Sequence, residues 1–227
     1  MKLSTNTVAV LKNFCNVNAN LVIEPGKVIR TIGPSRNIFA AATVEDEFPR
    51  QVAIYDLNSF LETVTLFDNV DLDFAEKYMV VKSGGAMIKY FYSDPSIVQA
   101  APNKEITLDE ELFTFDLTSA DVSAITKVSA ILSAPTLSLT SSGGKVVLTV
   151  SDRKNDTSHS YLKDIGECKT DFDVRLRVDE WKILPGDYTG TVARKNGKDG
   201  SVNGVVRWVN KTIPLTYFMT VDTNSKV

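Results

Sequence analysis

The sequence predicts an α+β protein of two similar domains, mostly antiparallel sheet with a few short helices. Three observations carry that reading. A capped amphipathic helix recurs four times at near-even spacing. The runs between these helices alternate apolar with polar residues, and glycine pairs join several of them as hairpins. No strand–helix–strand rhythm of the parallel kind runs through the chain.

The first helix is expected in "LSTNTVAVLKNF", capped by Ser4, with Val8, Leu11, Phe14 and Cys15 inward. Its other face would show Thr5, Ala9, Lys12, Asn13 and Asn16. The second, "LNSFLETVTLF", takes Asn58 as its cap, buries Phe60, Leu61, Val64 and Phe67, and shows Glu62. In the third, "LTSADVSAITKVSAIL", Thr118 and Asp121 approximate a capping box. Val122, Ile125, Val128, Ile131 and Leu132 form its stripe, and Ser123, Thr126, Lys127 and Ala130 face away. The fourth, "VDEWKILPG", would be capped by Asp179, bury Trp181 and Leu184 and show Lys182. Leu3 with Val8, Leu117 with Val122 and Val178 with Ile183 have the spacing of hydrophobic staples.

"QVAIYDL", "ELFTFDL" and "DVRLRV" read as strands leading into helices two, three and four. "KYMVVKSGGAMIKYFY" and "TLSLTSSGGKVVLTVSD" read as hairpins about Gly84-Gly85 and Gly143-Gly144. "DYTGTVARKNGKDGSVNGVVRWV" reads as another, with Asn196-Gly197 in or near its turn. "TIPLTYFMTVD" is a last strand, and Pro214 suggests an edge or a strand beginning. The connector is "DPSIVQAAPNKEITLDEE", residues 94–111, dividing the chain into domains 1–107 and 108–227.

Composition sets bounds. The chain has 227 residues, 43% hydrophobic and 23% charged, with net charge −3. That fits a soluble globular protein and by itself gives no pointer to nucleic acid. Cys15 and Cys168 are scattered, as suits a reducing compartment. "MKLSTNTVAV" has no long apolar core, so a soluble, intracellular protein without a membrane partner is expected. No catalytic, metal or cofactor constellation stands out. "DNVDLDFAE" is acidic but lacks the turn glycine of a calcium loop. His159 has no supporting nucleophile signature, and "SGGAM" and "SSGGK" lack phosphate-loop spacing. "SDRKND", 151–156, reads as an exposed turn or as a nucleic-acid rim contact through Arg153 and Lys154. Trp181 and Trp208 read as core or sheet-face aromatics.

The chain resembles the sliding clamps of T-even-type bacteriophages, the processivity factors of their DNA polymerases. The match rests on "MKLS" and "LKNF", "VAIYDLN" with "FL" at 60–61, "DPS" and "APNK" in the connector, "PGDY" at 185–188, and the fourfold repeat. The resemblance implies a homotrimeric ring around duplex DNA, with sheets outside and two helices per domain lining the hole. It also implies an ATP-driven loader, polymerase docking through a C-terminal tail, no enzymatic activity and no cofactor. The setting would be the cytoplasm of an infected bacterial host. A structural ring or virion subunit is the alternative. On this basis Lys12, Lys127 and Lys182, with Arg153 and Lys154, would face DNA. The subunit joint would pair residues 86–93 with 158–167, involving Lys89, Tyr90, Leu162 and Asp164. The polymerase tail would enter an apolar groove formed by Val98, Pro102, Ile106 and Leu108 over a floor of Leu215, Tyr217 and Met219. The competing reading of these apolar residues is that they pin the connector to the second domain.

Overall fold

The computed structural model describes residues 1–197 and 201–227. The backbone separates into two compact units, Met1–Lys104 and Glu105–Val227, the division falling inside the connector.

The first unit opens with α1 (Thr5–Val17), β1 (Leu21–Ile23), β2 (Gly26–Ile32), β3 (Ile38–Phe48) and β4 (Val52–Ile54). It continues with α2 (Leu57–Val64), β5 (Asp71–Phe74), β6 (Tyr78–Ser83) and β7 (Ala86–Phe91). β2 pairs with β3, β1 with β4, and β5, β6 and β7 form a three-stranded sheet in that order, all antiparallel. Ser83 faces Ala86 across the Gly84-Gly85 turn, where Gly84 takes a positive φ of 56°. α1 packs on β3 and α2 through Val10, Leu11, Phe14 and Val17. The outer side of β5 is covered: the Leu72 N–H donates to the Met1 carbonyl, and the Met1 amino group donates back to the Leu72 carbonyl, both at 2.7 Å. No strand covers the outer side of β7 within this unit.

The second unit runs β8 (Glu110–Leu117), α3 (Ser119–Ile131), β9 (Thr136–Ser142), β10 (Lys145–Ser151), β11 (Ser160–Glu167) and β12 (Phe172–Arg177). β13 (Tyr188–Asn196), β14 (Val202–Asn210) and β15 (Leu215–Thr220) complete it. One sheet has the order β11-β10-β9-β12, and β15, β14, β13 and β8 pair in that order within the unit. β15 begins directly after Pro214, where the lack of an N–H does no harm. Asn196 ends β13 and the Gly197 N–H donates to the Ser201 carbonyl at 2.7 Å; the part of the expected turn that falls on 198–200 lies outside the described residues. As in the β5-β6-β7 sheet of the first unit, one edge of the β11-β10-β9-β12 sheet is covered and one is open. Asp173 on β12 exchanges backbone hydrogen bonds with Lys226 at 2.9 and 2.8 Å, whereas among the described residues β11 has no strand beyond it.

The fourth expected helix does not form. Val178–Glu180 is a single 3-10 turn, and Trp181 to Gly186 continue without regular structure. Pro185 and Gly186 follow too closely for a second helical turn to be stable. Asp179 is not a cap there; its carboxylate takes both an Nε and an NH2 hydrogen bond from Arg177. The second helix is also capped two positions earlier than expected. Asp56, not Asn58, accepts from the Asn58 and Ser59 N–H groups at 3.1 Å each. Asn58 instead donates to Glu62 one turn on. Phe67 lies beyond this helix and is half-buried.

Candidate functional site

Two helices have surfaces suited to a polyanion. The Ser4 hydroxyl caps α1 by accepting from the Thr7 N–H at 3.1 Å, and the Ser4 N–H donates to Asp46 on β3 at 2.8 Å. With its start fixed, α1 buries Thr7, Val10, Leu11, Phe14 and Val17, and Asn13 joins them. Asn13 therefore does not belong to the outward face, while Val8 and Cys15 are only half-buried. Thr5, Lys12 and Asn16 are exposed along one stripe with half-exposed Ala9, and α1 contains no acid.

α3 opens with the full capping box of Thr118 and Asp121. Val122, Ile125 and Ser129 are buried, the Ser129 hydroxyl being satisfied by the Thr126 carbonyl at 2.9 Å. Ile131 is 78% exposed, against its expected place on the core stripe, because the helix ends there and no further turn covers it. The outward face is Ser119, Ala120, Thr126, Lys127 and Ala130, with Lys127 its single charge. Asp121, the only acid on the helix, is turned away and bound by Lys163 at 2.6 Å.

Lys182 does not share this placement. It is half-buried in the irregular segment after the 3-10 turn, beside buried Trp181, whose ring meets Trp208 edge-to-face at 5.0 Å. Leu184 is half-buried there, its N–H donating to the Tyr217 hydroxyl. Ser151 is the buried last residue of β10, and residues 153–156 are exposed in the turn that follows it. Arg153 is drawn into an ion pair with Asp173 at 2.7 Å, which Arg175 shares, while Lys154 is exposed. Burial raises the Asp173 pKa, but the two guanidiniums outweigh it and hold the carboxyl below its usual range.

The open strands behave as edges. On β7, Met87, Lys89 and Phe91 are exposed, Phe91 to 65%. Tyr90 points the other way: its ring packs edge-to-face on Phe60 at 5.4 Å, so it is not part of an outward joint. On β11, Leu162, at 62% exposure, and Asp164 face out, while Tyr161 and Lys163 are half-buried.

The expected groove is not open. Val98 is 5% exposed and packs with Val22 and Ala53, so it pins the connector within the first unit. Leu215, Tyr217 and Met219 do share a face of β15, but all three are buried and none forms an exposed floor. Ile106 and Leu108 are half-buried; Pro102 and Ile97 are exposed. Val98 leaves the one-turn 3-10 helix Pro95–Ile97 in extended backbone, φ −103° and ψ 130°, and is buried where Ile97 is exposed, a change of direction that the sequence pattern does not signal.

Among the described residues no group of histidine, cysteine or acidic side chains is arranged to hold a metal, and no helix is long and apolar enough to cross a membrane. The acids of "DNVDLDFAE" are partly engaged: Asp71 binds the Met1 amino group and Asp73 pairs with Lys82.

Two units of antiparallel sheet carrying short helices define the clamp fold. The PCNA of A. fulgidus, solved with the C-terminal region of FEN-1 bound, superposes with a TM-score of 0.67 over 99% of this chain and 98% of that one, at 13% identity. Residues 2–84 match the DNA polymerase processivity factor family. The sliding clamp of Vibrio phage KVP40 is 34% identical over 83% of this chain and 88% of its own length. That of Enterobacteria phage T4 is 28% identical over 98% of this chain and 100% of its own. The chain belongs to the T-even-type phage sliding clamps, and it is a DNA polymerase processivity factor.

Proposed function

We propose that three copies close head to tail around duplex DNA and hold the replicative polymerase there, with no chemistry of their own. The observation that carries this reading is the pair of open edges, β7 in one unit and β11 in the other. Each exposes unpaired backbone groups beside large apolar side chains, which invites pairing with another chain. Two different edges on one chain make a heterologous contact, which closes only as a ring.

The outward stripes of α1 and α3 then supply the lining. They offer small side chains and two lysines, Lys12 and Lys127, with no competing carboxylate. Beyond a Debye length of about 8 Å such charges are largely screened. The attraction is therefore loose and independent of sequence, and topology does the holding. Lys154, exposed in the turn after β10, supports a rim contact. Lys182 and Arg153 drop out, the one half-buried off any helix and the other occupied by Asp173. The polymerase tail docks beside the connector, where Ile97 and Pro102 are exposed. An ATP-driven loader opens the ring, in the cytoplasm of the infected bacterium.

The test is retention on DNA. Loaded onto a closed circle, the protein stays bound through a salt wash and is released when the circle is cut. Equal retention on linear and circular DNA, or none on either, counts for a structural subunit instead.

A further inference from the structure

The segment after β15 turns back and closes the outer side of β12. The Val221 N–H donates to the Gly204 carbonyl at 3.2 Å, and the Asp222 N–H to the Arg175 carbonyl at 2.8 Å. A turn follows, in which the Asp222 carboxylate accepts from the Asn224 N–H at 2.8 Å and its carbonyl from the Ser225 N–H at 2.9 Å. The Ser225 hydroxyl accepts from the Arg175 N–H at 3.0 Å, and Lys226 stands opposite Asp173 as a single antiparallel bridge. No side chain from Val221 to Val227 is fully buried, so the segment is a thin cover and not part of the core.

The charges under this cover are ordered. β12 turns the backbone groups of Phe172, Val174 and Leu176 to β9, and the alternation of an antiparallel ladder turns those of Asp173, Arg175 and Arg177 outward. Asp171, just before the strand, continues the series. The outward row is therefore acid, acid, base, base. Such a row is complementary to its own reverse. Two copies of β12 related by a twofold axis at Val174 set Asp171 opposite Arg177 and Asp173 opposite Arg175, each pair twice. Slipping one strand by two residues sets Asp173 against Asp173 or Arg175 against Arg175. Slipping it by one sets free backbone groups against used ones. Within the single chain the cover supplies the same complement: Lys226 lies opposite Asp173, and Asp222 comes to Arg175. Hydrogen bonds from Asn224 hold the Asp222 carboxyl below its usual range, and the charges of Arg175 and Lys154 add to this.

We propose that β12 is a latent self-association edge, and that residues 222–226 are a detachable strap that keeps it closed by imitating the β12 edge of a second copy. An uncovered strand edge is a template for another strand, and this one is matched in charge to itself. The strap is tethered, so it competes at an effective concentration on the order of millimolar. A second copy at ordinary concentration pairs only where the strap has been displaced. The contact is isologous, with the same strand on both sides, so it adds nothing to a head-to-tail ring and instead joins one assembly to another.

The experiment compares the full chain with a chain ending at Val221, by sedimentation over a range of concentrations. The shortened chain should form a species of at least twice the mass that the full chain reaches. In the shortened chain, Asp171→Arg and Arg177→Asp should each raise several-fold the concentration needed for this association, and the double variant should restore it. Both residues are exposed, so the changes leave the core alone. A shortened chain that still unfolds cooperatively in urea but never exceeds the mass of the full chain overturns the strap. Association that ignores both charge changes, or two weakened single variants with no restoration in the double, overturns the β12 pairing. If the shortened chain does not fold, the full chain with Ser225→Ala and Lys226→Pro loses the hydroxyl and the N–H that hold the strap. It should show the same gain in mass, and its failure to do so overturns the proposal. The gain is read against the full chain, so the result is the same whether or not that chain forms a ring.

Discussion

The ammonium of Lys163 on β11 donates to the carboxylate of Asp121 in the first turn of α3 at 2.6 Å. Asp121 is also the residue that closes the capping box with Thr118. One carboxylate thus ends the helix properly and ties it to the strand whose far side is the open edge. A second acid, Asp187 of "PGDY", accepts from the Ser119 N–H at 2.6 Å, so the start of α3 is held from two sides.

Lys163→Met should destabilise the fold by about 1 kcal/mol, the worth of a partly exposed charge-assisted hydrogen bond. The pH dependence follows from Asp121. Burial raises its pKa, but hydrogen bonds from Lys163 and Thr118 and the charge of Lys163 more than offset this and hold it low. A carboxyl depressed by folding stabilises above its unfolded pKa and stops doing so as pH falls through the folded value. Urea titrations should show the gap between wild type and variant constant near neutrality and shrinking below the ordinary aspartate range. A gap that widens on acidification would contradict the assignment.

Lys12→Ala with Lys127→Ala should leave the unfolding free energy measured in urea unchanged within about 0.5 kcal/mol, since both side chains are exposed. Processive synthesis should fall at moderate salt, and the salt dependence of DNA retention should become shallower as phosphate contacts are lost. Lys182→Ala should have a clearly smaller effect on both DNA readouts.

Gly190→Ala should destabilise the second unit by about 1–3 kcal/mol through overpacking. A Cβ at this position would lie 2.6 Å from the Phe115 ring and 2.8 Å from that of Trp208. Tryptophan fluorescence during urea unfolding reads the loss directly.

Ile97→Asp should abolish binding of a peptide copying the cognate polymerase's C-terminal tail while leaving stability intact, because Ile97 is 63% exposed. Val98→Asp should instead lower stability by several kcal/mol, about what an unpaired charge forced into a core costs. Normal peptide binding by the Ile97 variant, measured by anisotropy, would place the docking site elsewhere.

What the sequence makes legible is what local chemistry decides. Ser4 and Thr118 announce their helices because a cap bonds to residues two or three positions away. The glycine-pair hairpins are as plain, since only glycine enters a positive-φ turn without strain. "VDEWKILPG" misleads because Asp179 has cap chemistry, yet Arg177 competes for it and Pro185 stops the turn. The outward pattern of β11 is readable by alternation, as Leu162 and Asp164 attest. Burial that depends on distant packing is not readable this way. Val98 looks like an exposed connector valine until Val22 and Ala53 are brought against it. Leu215, Tyr217 and Met219 share a face, but alternation does not say whether that face meets water.

The open edges at β7 and β11 also have a genetic consequence. In the proposed ring, a subunit spoiled only at β7 would keep a sound β11, dock on a healthy neighbour and leave a gap. In the proposed trimer, a pool with half its subunits spoiled would hold only about one ring in eight free of them. Lesions confined to either edge should therefore behave as dominant in mixed infections, whereas lesions that unfold the chain, such as a charge at Val98, remove the protein from the pool and should be recessive.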